Sequence, residues 1–138
     1  MIKQRALPSD ILQRLELLEP LLTSDSRVVF AYIFGGLASG RQRPLSDVDI
    51  AVYLDSYVDK IETKLDIIGV LSDALKTDEI DLVVLNGAPI SLVGRVLMKK
   101  RLIVDKQPFI RHSFESLALR EFFDFSRKEQ DVLSRRFA

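Results

Sequence analysis

Apolar positions along the chain fall into two rhythms. Two runs, Val28 to Phe34 (VVFAYIF) and Val48 to Leu54 (VDIAVYL), are β-branched, aromatic or small almost throughout, as buried strands are. Ile80 to Leu85 (IDLVVL) repeats the pattern, and Arg101 to Val104 is a short fourth run. Elsewhere the apolar residues recur at helical spacing. Ile11, Leu12, Leu15, Leu18, Leu21 and Leu22 predict a helix over 9–22, opened by Pro8-Ser9-Asp10, with Pro20 tolerated late or kinking it. Val58, Ile61, Leu65, Ile68, Leu71 and Leu75 predict an amphipathic helix over 58–75 with those six side chains inward. Pro89 opens another helix to about Lys99, with Ile90, Val93, Val96 and Leu97 inward. From Pro108 the pattern is helical nearly to the end, anchored by Phe114, Leu117, Leu119, Phe122, Phe123, Phe125 and Leu133. The aromatic residues Phe122, Phe123 and Phe125 cannot all face one core from one helix, which leaves some of them for a partner. Strands alternating with helices predict an α/β fold: a small mixed β-sheet flanked by helices, with a C-terminal helix. The 138 residues make one domain, 1–138, with no repeat or linker.

Composition narrows the chemistry. Hydrophobic residues make up 47% of the chain, enough for a core, and no apolar run approaches the length of a membrane span. Twenty basic and twenty acidic residues cancel, which argues against a protein that lives on nucleic-acid phosphates. There is no cysteine and one histidine, His112, so thiol nucleophiles, disulfides and multi-histidine zinc sites are excluded. The first ten residues carry no secretory signal pattern, and a cytoplasmic location is the expectation. The run Lys99-Lys100-Arg101 reads as a solvated turn.

What remains is oxygen chemistry. Asp47 and Asp49 stand two residues apart at the mouth of the second strand, so their side chains share one face, about 7 Å apart at Cα. Adjacent carboxylates repel unless a cation sits between them, and oxygen-only ligands suit a hard ion such as Mg²⁺. Asp81 interrupts the apolar run Ile80 to Leu85, where a carboxylate is costly without compensation. If the strand over 80–85 lies beside the strand over 48–54, Asp81 joins the other two. Three carboxylates from two strands suit a two-metal site for in-line phosphoryl or nucleotidyl displacement. The first strand stops at Gly35-Gly36, a turn expected to lead into a helical turn through Leu37 and Ala38 and to offer free backbone N–H groups to a phosphate. Arg41 and Arg43 follow in a basic loop.

The glycine turn, the ten residues from Leu37 to Ser46, and Asp47-Val48-Asp49 together resemble the signature of the DNA polymerase β nucleotidyltransferase superfamily, in which Gly-Ser, ten residues and Asp-x-Asp stand in that order. The small size and the ending Leu119 to Phe125 are similar to the minimal nucleotidyltransferase (MNT) antitoxins of HEPN/MNT toxin–antitoxin pairs. The resemblance implies a polymerase β-like nucleotidyltransferase fold and a type VII-like antitoxin. Catalysis and metal binding fall to Asp47, Asp49 and Asp81, with two Mg²⁺ ions as cofactors and ATP as substrate. Gly35, Gly36, Ser39, Arg41 and Ser46 are the candidates for nucleotide binding. The implied reaction moves AMP from ATP to a tyrosine of a partner HEPN toxin, a ribonuclease, and silences it. No membrane and no direct nucleic-acid partner is implied. Both a homo-oligomer and a hetero-oligomer with the toxin stay open.

The chain departs from the signature at Gly36, where the family carries the serine whose hydroxyl holds the triphosphate. Gly36 keeps its backbone N–H, and Ser39 lies one helical turn on. Losing one neutral hydrogen bond costs roughly 0.5–1.5 kcal/mol, a several-fold loss of affinity. A second expectation follows: an antitoxin that binds and occludes its toxin with a weakened nucleotide site. A transferase acting on a small molecule or on tRNA fits less well, because 138 residues leave little room for an added substrate domain and no basic extension is present.

Overall fold

The computed structural model describes residues 10–36 and 47–137. In chain order the elements are α1 (Ile11–Arg14), a 3₁₀ turn (Leu15–Leu17), α2 (Leu18–Ser24), β1 (Val28–Phe34), β2 (Val48–Leu54), α3 (Lys60–Leu75), β3 (Ile80–Val84), α4 (Ile90–Met98), β4 (Lys100–Asp105) and α5 (Pro108–Phe137). The strands form one mixed sheet in the order β3-β2-β1-β4. β1 pairs antiparallel with β2 and with β4, while β2 and β3 run parallel, joined by the α3 crossover. Among the described residues no helix is long and apolar enough to cross a membrane.

The first helical stretch is one predicted helix broken into three pieces. Pro20 has no N–H to give to the carbonyl of Glu16, so the α ladder cannot run through, and Leu15–Leu17 tighten into a 3₁₀ turn. Its apolar side chains still face one way: Ile11, Leu15, Leu18 and Leu22 are buried against one face of the sheet. β1 and β2 occupy the predicted ranges.

Both faces of the sheet are covered. On one, Ile33, Ile50, Val52 and Leu82 pack with α1, α2 and the inner side of α3. On the other, Phe30, Tyr32, Ala51, Val83 and Leu85 pack with Val93, Val96 and Leu97 of α4 and Ala118 of α5. α4 and α5 approach so closely that a Cβ on Gly94 would run into the ring of Phe122. Phe122 is therefore half-buried on the glycine, whereas Phe123 is exposed.

The inner face of α3 differs from the sequence expectation. Ile61 and Leu65 are 76% and 65% exposed; the buried stripe is Thr63, Ile67, Leu71 and Leu75. Asp59 caps the helix, accepting hydrogen bonds from the N–H groups of Ile61 and Glu62 at 3.0 Å, and this fixes where the helix starts. The stripe at every fourth residue from 63 lies over the sheet, and Ile61 and Leu65 are turned outward. The anchors expected along α5 thin out in the same way: Leu117 and Leu133 are exposed. At about 45 Å, a 30-residue helix outruns the sheet it packs on.

Lys100 leaves the expected solvated turn. It opens β4, and its ammonium lies 3.0 Å from Glu115 and over the ring of Tyr32. The hydroxyl of fully buried Tyr32 donates to the same oxygen, Glu115 Oε2, at 2.5 Å, and Arg111 reaches Glu115 Oε1 at 2.9 Å and Asp105 at 3.0 Å. This network clamps α5 to β1 and β4. Burial alone would raise the Glu115 carboxyl, but hydrogen bonds from Tyr32 and Lys100 outweigh it and hold the group below the usual glutamate value.

Candidate active site

Strand alternation decides what stands where. On the α4/α5 side of the sheet, β2 presents Asp49, Ala51 and Tyr53 in succession, and β3 presents Asp81, Val83 and Leu85. The far residues of each series are core. The near residues are carboxylates, at the end of the sheet where β1 finishes and β2 and β3 begin.

The parallel register pairs Asp49 directly with Asp81, so the two carboxylates occupy neighbouring strands about 4.8 Å apart on one face. Asp47 precedes β2 by one residue, and the adjoining N–H of Val48 donates to the carbonyl of Glu79 at 2.9 Å, tying the two strand entries together. Asp47 and Asp49 are half-buried and Asp81 is exposed. On the other side of β2, Phe34 of β1 is paired with Asp49, and β1 runs straight into Gly35.

The two glycines of that turn do different work. Gly35 has φ +73°, and a Cβ there would stand 2.5 Å from Asp49 Oδ2, so the turn is pressed onto the carboxylate. Contrary to the expectation of a free N–H for a phosphate, the Gly35 N–H donates to the carbonyl of Lys99 at 3.2 Å. Among the described residues no atom lies within 4 Å of where a Cβ on Gly36 would be. The expected helical turn through Leu37 and Ala38, and the nucleotide-binding candidates Ser39, Arg41 and Ser46 together with Arg43, lie outside the described residues.

Among the described residues no group of three or more His, Cys, Asp or Glu side chains is drawn together as a metal cluster. The donor set nonetheless fits Mg²⁺. The register sets Asp49 beside Asp81, with Asp47 two residues before Asp49, and Mg²⁺ is commonly held by one or two carboxylates, with substrate phosphates and water supplying the rest of the shell. Asp47 and Asp49 are the pair that would hold it, and Asp81 is the register partner of Asp49 on the neighbouring strand. Sequence reasoning passed over Glu79. One of its carboxylate oxygens is buried without a hydrogen bond, beside the strand entry where its carbonyl receives Val48. The signal was present: Glu79-x-Asp81 repeats the acidic spacing of Asp47-x-Asp49.

A mixed sheet with a glycine turn on one strand, paired acids on the next and a third acid beyond is the arrangement of a nucleotidyltransferase. The family model "Polymerase beta, Nucleotidyltransferase" matches residues 16–109, and the chain belongs to that family. No curated protein sequence matches it significantly. Solved structures extend the likeness to the whole fold. A chain from a mutant of the toxin–antitoxin MntA–HpeT superposes with a TM-score of 0.72 at 22% identity, covering 91% of this chain and 98% of that one. A chain from the tri-AMPylated Shewanella oneidensis HEPN toxin in complex with MNT antitoxin gives 0.66 at 20% identity, with 92% and 98% covered. One from a toxin–antitoxin with AMP-PNP gives 0.63 at 21%, with 92% and 98% covered.

Proposed function

We propose that this nucleotidyltransferase is the antitoxin of a toxin–antitoxin pair and that it transfers AMP from ATP to a tyrosine of a HEPN-family toxin. The observation that carries the reading is the register of Asp49 with Asp81 beside Asp47 and the Gly35 turn. That the similar complexes include an AMPylated HEPN toxin and an AMP-PNP-bound pair supports the choice of donor and acceptor.

In the reaction the tyrosine oxygen attacks the α-phosphorus of ATP. The bond from that phosphorus to the bridging oxygen breaks, diphosphate leaves, and the phenolic proton passes to Asp81. Asp81 suits the base role because it is exposed and sits one strand beyond Asp49, on the side away from the glycine turn. Asp47 and Asp49 would hold Mg²⁺, which when bound would neutralise charge on the phosphoryl oxygens. Gly35, which has no side chain, leaves room for the Asp49 carboxylate, since a Cβ there would stand 2.5 Å from its Oδ2.

A second reading, neutralisation by occlusion, is favoured by Gly36, which offers no hydroxyl to a triphosphate. Toxin neutralisation in cells co-expressing the pair separates the two. Under the transfer reading, Asp47→Asn and Asp49→Asn lose protection against the toxin while both proteins accumulate normally. Protection that survives both substitutions establishes occlusion instead.

A further inference from the structure

Beyond Asp81 lies the outer edge of β3. Among the described residues β3 is an edge strand, with β2 as its one neighbour. The ladder to β2 opens with the Val48 N–H on the Glu79 carbonyl and closes with the Leu85 N–H on the Val52 carbonyl, both at 2.9 Å. Between those ends, parallel alternation turns the N–H and C=O of Asp81 and Val83 toward β2 and those of Leu82 and Val84 away from it. No backbone hydrogen bond among the described residues meets these outward groups. They open into a cleft of about 360 Å³ that runs along Asp81 to Val84, walled by Pro89 at the start of α4 on one side and by Lys64 of α3 on the other.

Resting on the transfer reading above, we infer that this edge is the acceptor site: an extended segment of the target protein adds to the sheet as a fifth strand beside β3, and its tyrosine sits opposite Asp81. An added strand lies about 4.8 Å away, so a residue opposite Asp81 and on the same face has its side chain beside that carboxylate. Unpaired N–H and C=O groups of an edge recognise extended backbone whatever its sequence, which suits a protein acceptor and not a small molecule. Lys64 adds a charge preference for an acidic side chain on the incoming segment. The order across the sheet then follows the reaction: glycine turn at the end of β1, Asp47 and Asp49 at β2, Asp81 on β3, acceptor outside. Donor and acceptor approach the carboxylates from opposite sides, as in-line displacement requires.

Val84→Pro tests this directly. Proline removes an outward N–H and leaves every β2 bond intact, a substitution edge strands accept. With the cognate HEPN protein as acceptor, KM for that protein rises about three- to tenfold, the loss expected of one or two hydrogen bonds, while Kd for ATP with Mg²⁺ is unchanged. Lys64→Glu raises the same KM. Amide exchange on the unmutated protein gives a readout independent of folding: the acceptor slows exchange at Leu82 and Val84. Slowed exchange without any AMP transfer keeps the docking edge and discards the transfer reading. Transfer with unchanged KM in Val84→Pro and no slowing overturns the docking edge. Slowed exchange at the same amides with this chain alone, in step with dimer formation, overturns it in favour of a second copy.

Discussion

The two ends of one sheet face carry opposite chemistry. At one end of the α4/α5 face, Phe30 stacks on Tyr53 at 4.8 Å, Phe114 of α5 closes over both at 5.7 and 5.2 Å, and Leu85 is buried. At the other end the same two strands carry Asp49 and Asp81, four residues from Tyr53 and Leu85, with Gly35 pressed onto Asp49. The strands do not change between the ends; the cover does. α4 and α5 seal the aromatic end; under the proposed function the acidic end takes the nucleotide. Strand alternation makes this economical, because the aromatic residues that hold β1, β2 and α5 rigid stand on the same side as the acids and fix their positions.

Substitutions at the two ends should therefore separate activity from stability. The largest effect is expected from Asp49→Asn, which removes a charge from the site and nothing from the core. Transfer to the HEPN protein falls on the order of 100-fold or more while Tm stays within a degree or two, as steady-state kinetics and thermal unfolding would report. Gly35→Ala comes next and blurs the separation. Its methyl meets Asp49 Oδ2 and its φ of +73° disfavours a side chain, so transfer falls about tenfold and Tm drops by roughly 3–5 °C.

At the closed end the signs reverse. Tyr32→Phe deprives Glu115 of a buried hydrogen bond and costs about 1–3 kcal/mol in chemical denaturation, with KM for ATP unchanged. Because Glu115 is held below its ordinary value of 4.5, the clamp contributes stability above that pH and loses it as the pH falls below about 4.5. Asp25, lowered by its hydrogen bond from Arg27, follows the same sign from 3.8 downward. Unfolding measured from pH 7 to pH 3 in Tyr32→Phe should show a shallower acid loss than in the unmutated protein. The smallest effect is a gain: a Cβ on Gly36 meets no atom among the described residues, so the hydroxyl of Gly36→Ser lowers Kd for ATP several-fold with Tm unchanged, measurable by calorimetry.

Much of this was legible in the sequence, for reasons that can be named. β1 and β2 are continuous apolar runs, and buried strands have no other pattern to imitate. The register of Asp49 with Asp81 follows once the two strands are neighbours, because both acids stand second in their strands. The inner face of α3 was not legible. Apolar residues lie on both sides of that helix, and periodicity alone cannot tell which side meets the sheet when Thr63 and not Ile61 is buried. The engagement of the Gly35 N–H by Lys99 was hidden for another reason: it depends on a partner 64 residues away, brought in by β4. The Tyr32–Glu115 contact spans 83 residues and left no local trace, and Gly94 revealed its purpose only when Phe122 was seen resting on it.

The central claim is that Asp47, Asp49 and Asp81 together move AMP onto a protein tyrosine. Intact mass of the cognate HEPN protein, incubated with this chain, Mg²⁺ and ATP, tests it most directly. The account predicts a gain of one or more AMP units on the HEPN protein, lost when Asp49→Asn replaces the unmutated chain. A stable complex whose HEPN partner keeps its original mass with every nucleoside triphosphate would contradict it.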